Sequence, residues 1–214
     1  MNETKSGSRA RTGSKKAAFL KSFIKSPAQV ASIIPSSPFL VKKVAGKMDL
    51  AKPVVVAEFG PGEGVHTREI LRRCHPDSKV LLFELDKDLS EFLKVQFADD
   101  KRVEVLNADC RTIVAEATKR GIDGFDYIFS GIPFSLMDPH TKQELMYEIY
   151  EALKPNSAFI IYQVTNELKR FGQHFDKLTS EWCPLNVPPM FVTVYHKNGK
   201  VGKQIRPTNG NGHK

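Results

Sequence analysis

Cysteine is scarce, with Cys74, Cys110 and Cys183 the three the chain carries. An odd number at wide spacing, with no Cys-x-x-Cys pair, gives neither a disulfide framework nor a structural zinc site, so no metal is expected. Long apolar runs are lacking as well. No stretch of about 18 apolar residues is free of charge, which argues against a membrane-spanning helix, and residues 1–16 are too polar for a secretory signal. A reducing cytoplasm is the expected location. Acidic residues are nearly missing from the two ends. Residues 1–52 set eleven Lys or Arg against Glu3 and Asp49, and residues 197–214 hold five basic residues and no acidic one. Between them, residues 53–196 carry sixteen basic and twenty-two acidic side chains. Basic ends on an acidic core are drawn to anionic surfaces, nucleic acid and bilayer alike, and charge alone does not choose between them.

What is present fits an ordinary α/β domain of 214 residues, 41% hydrophobic and 26% charged. Four segments follow from the patterning: a disordered basic tail over 1–16, an amphipathic helical region over 17–52, a main domain over 53–197 and a flexible basic tail over 198–214. In the second, Phe19, Leu20, Phe23 and Ile24 share one helical face beside Lys16, Lys21 and Lys25. Pro27 interrupts that stripe. Ser37 caps a further helix with Pro38 in its first turn and Phe39, Leu40 and Val44 as its apolar face, running to about Met48. Beyond residue 52, apolar runs at 53–59, 79–84, 102–106, 125–129 and 158–164 read as strands. They alternate with helical periods at 66–74, 88–97, 111–120 and 141–153. Five such units imply a doubly wound parallel sheet. A helix at 167–179 and a hairpin from 181–187 and 190–195, joined by Pro188 and Pro189, complete a seven-stranded Rossmann-like sheet with a terminal antiparallel pair.

The first strand runs into Glu58-Phe59-Gly60-Pro61-Gly62-Glu63-Gly64, and a helix follows. Glycines at this place let the backbone turn sharply and approach a ligand at a helix N-terminus. A dinucleotide fingerprint would need glycine at Val65, so the pattern is Gly-x-Gly-x-Gly with an acid two residues before it. This resembles motif I of the class I methyltransferases that use S-adenosylmethionine. Glu84 ends the second strand, where a carboxylate can accept from two ribose hydroxyls, with Asp86 as its competitor and Leu85 beside it. The resemblance places Glu58 below the loop near the methionine portion, and Asp109, with Cys110, at the adenine amino group. Ser130 closes the cofactor set at the end of the fourth strand. Ser36 and Ser37 are candidates for the cofactor carboxylate or a lipid phosphate, and as N-cap residues they also have a structural reason to be there.

After the fourth strand, Ser130-Gly131-Ile132-Pro133-Phe134 partly resembles the Asn-Ile-Pro-Tyr motif of the adenine-N6 dimethylases of ribosomal RNA, with Gly131 in place of the asparagine. Ile132, Pro133 and Phe134 are therefore acceptor candidates. Three further stretches resemble the bacterial phospholipid N-methyltransferases: Phe23-Ile24-Lys25-Ser26-Pro27 leading to Ile33-Ile34-Pro35-Ser36-Ser37; Phe171-Gly172-Gln173-His174-Phe175; and Asn186-Val187-Pro188-Pro189 followed by Phe191-Val192-Thr193-Val194-Tyr195. The resemblance implies methylation of the amine of phosphatidylethanolamine or ornithine lipid by an enzyme held on the inner face of the membrane by its amphipathic helix. An RNA acceptor gripped by the basic ends is the alternative. The acceptor ammonium must lose a proton before attack, and His140, His174, Tyr162 and Tyr195 are the candidate bases.

Overall fold

The computed structural model describes residues 36–199. The expected amphipathic stretch at 17–34 and most of both tails lie outside the described residues. Within them, the alternation of apolar runs and helical periods folds as a seven-stranded sheet in the order β3-β2-β1-β4-β5-β7-β6. The elements are α1 (Pro38–Ala45), β1 (Val55–Phe59), α2 (Val65–Arg73), β2 (Lys79–Phe83), α3 (Lys87–Gln96), β3 (Val103–Leu106), α4 (Ile113–Lys119), β4 (Phe125–Ser130), α5 (Pro139–Ala152), β5 (Leu153–Gln163), β6 (Lys177–Cys183) and β7 (Met190–Lys197). Strands β1 to β5 are parallel, and β7 returns antiparallel between β5 and β6.

Strand parity sorts the core into two layers. Val56, Leu82, Phe129 and Ile160 point to one face, against Leu40 and Val44 of α1, Ile70 of α2 and Leu93 of α3. Phe59, Leu81, Ile128, Phe159 and Tyr195 point to the other, against Ile113 of α4 and Leu145 and Ile149 of α5. Glu58 and Tyr162 share the parity of the first layer. The order of the strands reverses between β1 and β4, so the loops after both open at the carboxyl edge where open α/β sheets bind ligands.

Four expectations need correction. Phe39 is 58% exposed, because the buried stripe of α1 runs through Leu40, Val41, Val44 and Ala45 and leaves Phe39 off its edge. The helix at 167–179 is a single 3-10 turn, Glu167–Phe171, and strand β6 begins already at Lys177. The hairpin is correspondingly shifted, with residues 184–189 forming its connection rather than strand. Strand β6 has little apolar alternation to betray it, since as the sheet's edge it exposes or half-exposes every residue before Cys183. Strand β5 also starts early, at Leu153, directly from the end of α5.

Candidate active site

The loop after β1 is built on conformations that favour glycine. Gly60, Gly62 and Gly64 have φ of 65°, 56° and 72°. At Gly60 space forbids a side chain as well, since a Cβ there would lie 2.6 Å from Cγ2 of Ile132, which brings the β1 loop against the β4 loop. A Cβ on Gly62 would meet nothing within 4 Å, so the loop faces open space at that point. The backbone ladder continues past the strand ends: Gly60 N–H donates to the Phe83 carbonyl at 3.0 Å and Gly131 N–H to the Phe59 carbonyl at 3.0 Å.

Glu84 is buried at the carboxyl edge. Its Oε2 accepts from Gly62 N–H at 3.3 Å and its Oε1 from Asp86 N–H at 3.0 Å. Asp86 has a different duty, capping α3 by accepting from Leu89 N–H at 2.9 Å. Of the two acids, it is Glu84 that joins the glycine loop. The Asn107 amide holds the same turn, donating to the carbonyls of Glu84 and Leu85. Asp109 caps the 3-10 turn Cys110–Thr112 through Arg111 N–H and takes the Arg111 guanidinium at 2.6 Å, which draws its carboxyl below the ordinary carboxylate range. Burial pushes the Cys110 thiol up to about 12, so it stays protonated.

Glu58 is buried in the first layer and accepts a short 2.5 Å bond from the Thr67 hydroxyl. Burial raises its pKa to about 8, the Thr67 bond opposing and the Glu84 charge adding to it. Beside it stands a stack that the motif spacing does not reveal. The buried His66 ring lies on the Tyr162 ring at 4.6 Å and 24° between planes. His66 Nε2 is 2.9 Å from the Ser36 hydroxyl. Burial lowers His66 to about 4, leaving it neutral near pH 7. Ser37 serves the framework. Its hydroxyl caps α1 at Leu40 N–H, and its own N–H donates to the Asn186 amide oxygen at 2.8 Å.

The structure brings Ser36, Glu58, the three glycines, Glu84, Gly131, Ile132 and Tyr162 to one edge. Other candidates it separates. Ser130 is fully buried, its hydroxyl accepting from Ile132 N–H at 3.3 Å. Phe134 is fully buried against Phe159, so it offers no open ring face to an acceptor. Pro133 is half-buried and Leu85 exposed on the same edge. Tyr195 lies in the opposite layer, packed on Phe159 and Phe175 with a buried hydroxyl. His174 packs on Tyr147 and Tyr150 of α5, also on the far side of the sheet. His140 is exposed at the start of α5, 3.4 Å from Glu144. None of these three histidine and tyrosine rings adjoins the glycine loop, and neither His66 nor Thr67 carries a sequence signal beyond following motif I.

Comparison with known proteins agrees with this geometry. The family model described as ribosomal RNA adenine dimethylase matches residues 23–151, more than half of the chain. The ornithine lipid N-methyltransferase of Singulisphaera acidiphila is 31% identical over 173 residues, 80% of this chain and 90% of that protein. The chain belongs to this family of class I S-adenosylmethionine-dependent methyltransferases. Its members include the probable ribosomal RNA small subunit methyltransferase A of Methanospirillum hungatei, 29% identical over 106 residues, of whose length the match spans 38%. The fold is that of solved methyltransferases. One is the 1,6-didemethyltoxoflavin-N1-methyltransferase of Burkholderia thailandensis, solved with S-adenosylhomocysteine, which matches with a TM-score of 0.56 at 16% identity over 92% of this chain and 93% of its own. S-adenosylmethionine is the family's methyl donor, and the residues present fit it: open space over Gly62, a buried carboxyl group at Glu84 joined to the glycine loop and a second carboxyl group at Glu58. The resemblance to phospholipid N-methyltransferases and the seven-stranded methyltransferase fold, both expected from sequence, are confirmed.

Proposed function

We propose that this methyltransferase acts on the head-group amine of a membrane aminolipid, an ornithine lipid or phosphatidylethanolamine and its methylated forms, from the surface of an anionic bilayer. The observation that carries the reading is the likeness to an ornithine lipid N-methyltransferase along 90% of that protein's length. The acceptor corner supports it. An adenine acceptor asks for an amide at position 131 and an open aromatic face at 134, and here glycine and a fully buried Phe134 stand there.

When bound, the cofactor supplies an activated methyl group beside an amine. The chain's own residues do the rest by position, which is where most of the acceleration of such a transfer arises. Gly60 and Gly62 let the backbone come close, Glu84 fixes the ribose side through an acceptor already ordered by Gly62 and Asp86, and Ile132 closes the gap between the two loops.

Exposed apolar residues are spread along the carboxyl edge of the sheet on which the site lies. Leu85 follows β2, Leu136 follows β4, Val164 follows β5, and Leu185 and Val187 sit between β6 and β7. Because Phe191 pairs with Gln163, that last turn lies at the same carboxyl edge as the others. Apolar side chains in that place suit a lipid surface better than a phosphate backbone. The test is transfer of label from S-adenosylmethionine to vesicles containing ornithine lipid, vesicles containing phosphatidylethanolamine, and unmodified ribosomal RNA, offered in parallel. Label in a lipid is expected and identifies the head group. Label in RNA alone would overturn the reading.

A further inference from the structure

At position 131 a side chain has nowhere to go. A Cβ built on Gly131 would lie 2.4 Å from the Tyr162 hydroxyl oxygen, 3.2 Å from Cζ of that ring and 3.3 Å from the Gly60 carbonyl oxygen. Its φ is not in the left-handed region, so it is space and not conformation that calls for glycine. The register explains the encounter: Ser130 of β4 pairs with Ile161 of β5, so the residues that follow each, Gly131 and Tyr162, meet on the first-layer face. Where the dimethylase pattern puts a side-chain amide, a phenol hydroxyl from the neighbouring strand has moved in.

That hydroxyl is held firmly. Its ring is stacked on His66, which Ser36 fixes through Nε2, and the Gly60 carbonyl walls the niche from the cofactor loop. Burial, with the nearby Glu58 adding, raises the phenol above its ordinary range, so it stays neutral. A neutral hydroxyl has one hydrogen and two lone pairs, so it can accept an N–H. A phenol held so is no base near neutral pH. It is an oriented acceptor, set between the cofactor loop and the acceptor loop.

We propose that Tyr162, standing in the niche that Gly131 leaves free, is the acceptor-positioning residue of this enzyme, its hydroxyl oxygen accepting a hydrogen bond from the aliphatic amine to be methylated. This rests on the aminolipid reading above. It also gives Gly131 a purpose: the glycine makes room for the hydroxyl, and the pair selects a tetrahedral amine over a flat base.

The test is a double-mutant cycle on the purified full chain with Tyr162→Phe, Gly131→Ala and the double variant. It is read as label transfer to vesicles of the wild type's preferred aminolipid, with cofactor affinity by titration and Tm measured beside it. Tyr162→Phe keeps the ring on His66. It should lower kcat for the lipid at least tenfold while cofactor affinity stays within twofold and Tm is unchanged. A rate within twofold of wild type would overturn the assignment. Gly131→Ala in the wild type should lose at least as much, because its methyl and the hydroxyl compete for one space. In the Tyr162→Phe background the same change should cost less than twofold more. Independent, multiplying losses would overturn the shared niche. Label in ribosomal RNA from the wild type would sink the aminolipid reading itself. The cycle on that RNA label then decides Tyr162 separately, a tenfold loss keeping it at the acceptor and an unchanged rate removing it.

Discussion

Glu58 is the residue whose chemistry differs most from its ordinary behaviour. At 2% exposure, with one hydroxyl as its hydrogen-bonding neighbour, it holds its proton to about pH 8 in the folded chain against about 4.5 when free. Its folded pKa is raised, so between those two values the folded state binds a proton that the unfolded state has released. Stability from this group is then full below pH 4.5 and declines as pH rises toward 8. At about 1.4 kcal/mol per unit, the loss across the window is on the order of 3–5 kcal/mol. His66, lowered to about 4, acts in the opposite sense, its stabilising effect present above pH 6.5 and lost as pH falls toward 4. The substitution Glu58→Gln isolates the first effect, because the amide still accepts from Thr67 and does not ionise. Thermal melts of this variant should match wild type near pH 5 and exceed it by more than about 5 °C at pH 8. Parallel wild-type and variant curves across that range would show that Glu58 is charged in the folded protein. None of this is legible from the motif, which marks Glu58 as an acid before the glycines but not as one buried behind Thr67.

Helix α1 is tied to the β6–β7 end by two kinds of contact, and their magnitudes differ. Lys43 and Lys47 both pair with Glu181, whose carboxyl they draw down to about 2, but that carboxylate is about half exposed. Exposed pairs contribute little, roughly 0–1 kcal/mol. Asn186, 1% exposed, instead joins Ser37 N–H at 2.8 Å to the Pro188 carbonyl at 2.8 Å. Removing its amide leaves two partly buried backbone groups without that partner, at up to about 1–3 kcal/mol each. Asn186→Ala should therefore lower Tm by several degrees and weaken activity by loosening the Ser36 end of the His66 stack, whereas Glu181→Ala should shift Tm by less than about 2 °C. Equal effects in a melt would reverse that ranking. Elements with strong periodicity, such as β1, β2 and α5, could be read from the sequence because each buries a whole face. Strand β6 and the turn at 167–171 could not, since an edge strand whose inner face is only half-buried needs little apolar alternation. In the site, the glycines and Glu84 were legible because backbone and strand-end constraints show in residue type. The pairing of Gly131 with Tyr162 depends on the register of β4 against β5, which no spacing in the chain encodes.

At the scale of the whole molecule, charge and apolar surface are distributed in a way that bears on how the domain would reach a lipid. The basic residues are concentrated toward the two ends of the chain, while several exposed apolar residues, Leu85, Leu136, Val164, Leu185 and Val187, lie at the carboxyl edge, Val187 at 86% exposure. Attraction by lysines is screened by salt, with a Debye length of about 10 Å at 0.1 M and about 3 Å at 1 M. Burial of leucine and valine in an interface is not, and each full burial is worth about 1.5–3 kcal/mol. Vesicle partitioning should therefore have two parts, one that falls with salt and one that does not. Changing Leu185 and Val187 together to serine should weaken binding to anionic vesicles more than about tenfold at 0.5 M salt and less at 0.05 M, with cofactor affinity unaltered, because neither residue touches the glycine loop. Binding that stays at the wild-type level at high salt would remove the β6–β7 turn from the membrane contact and leave that contact to other parts of the chain.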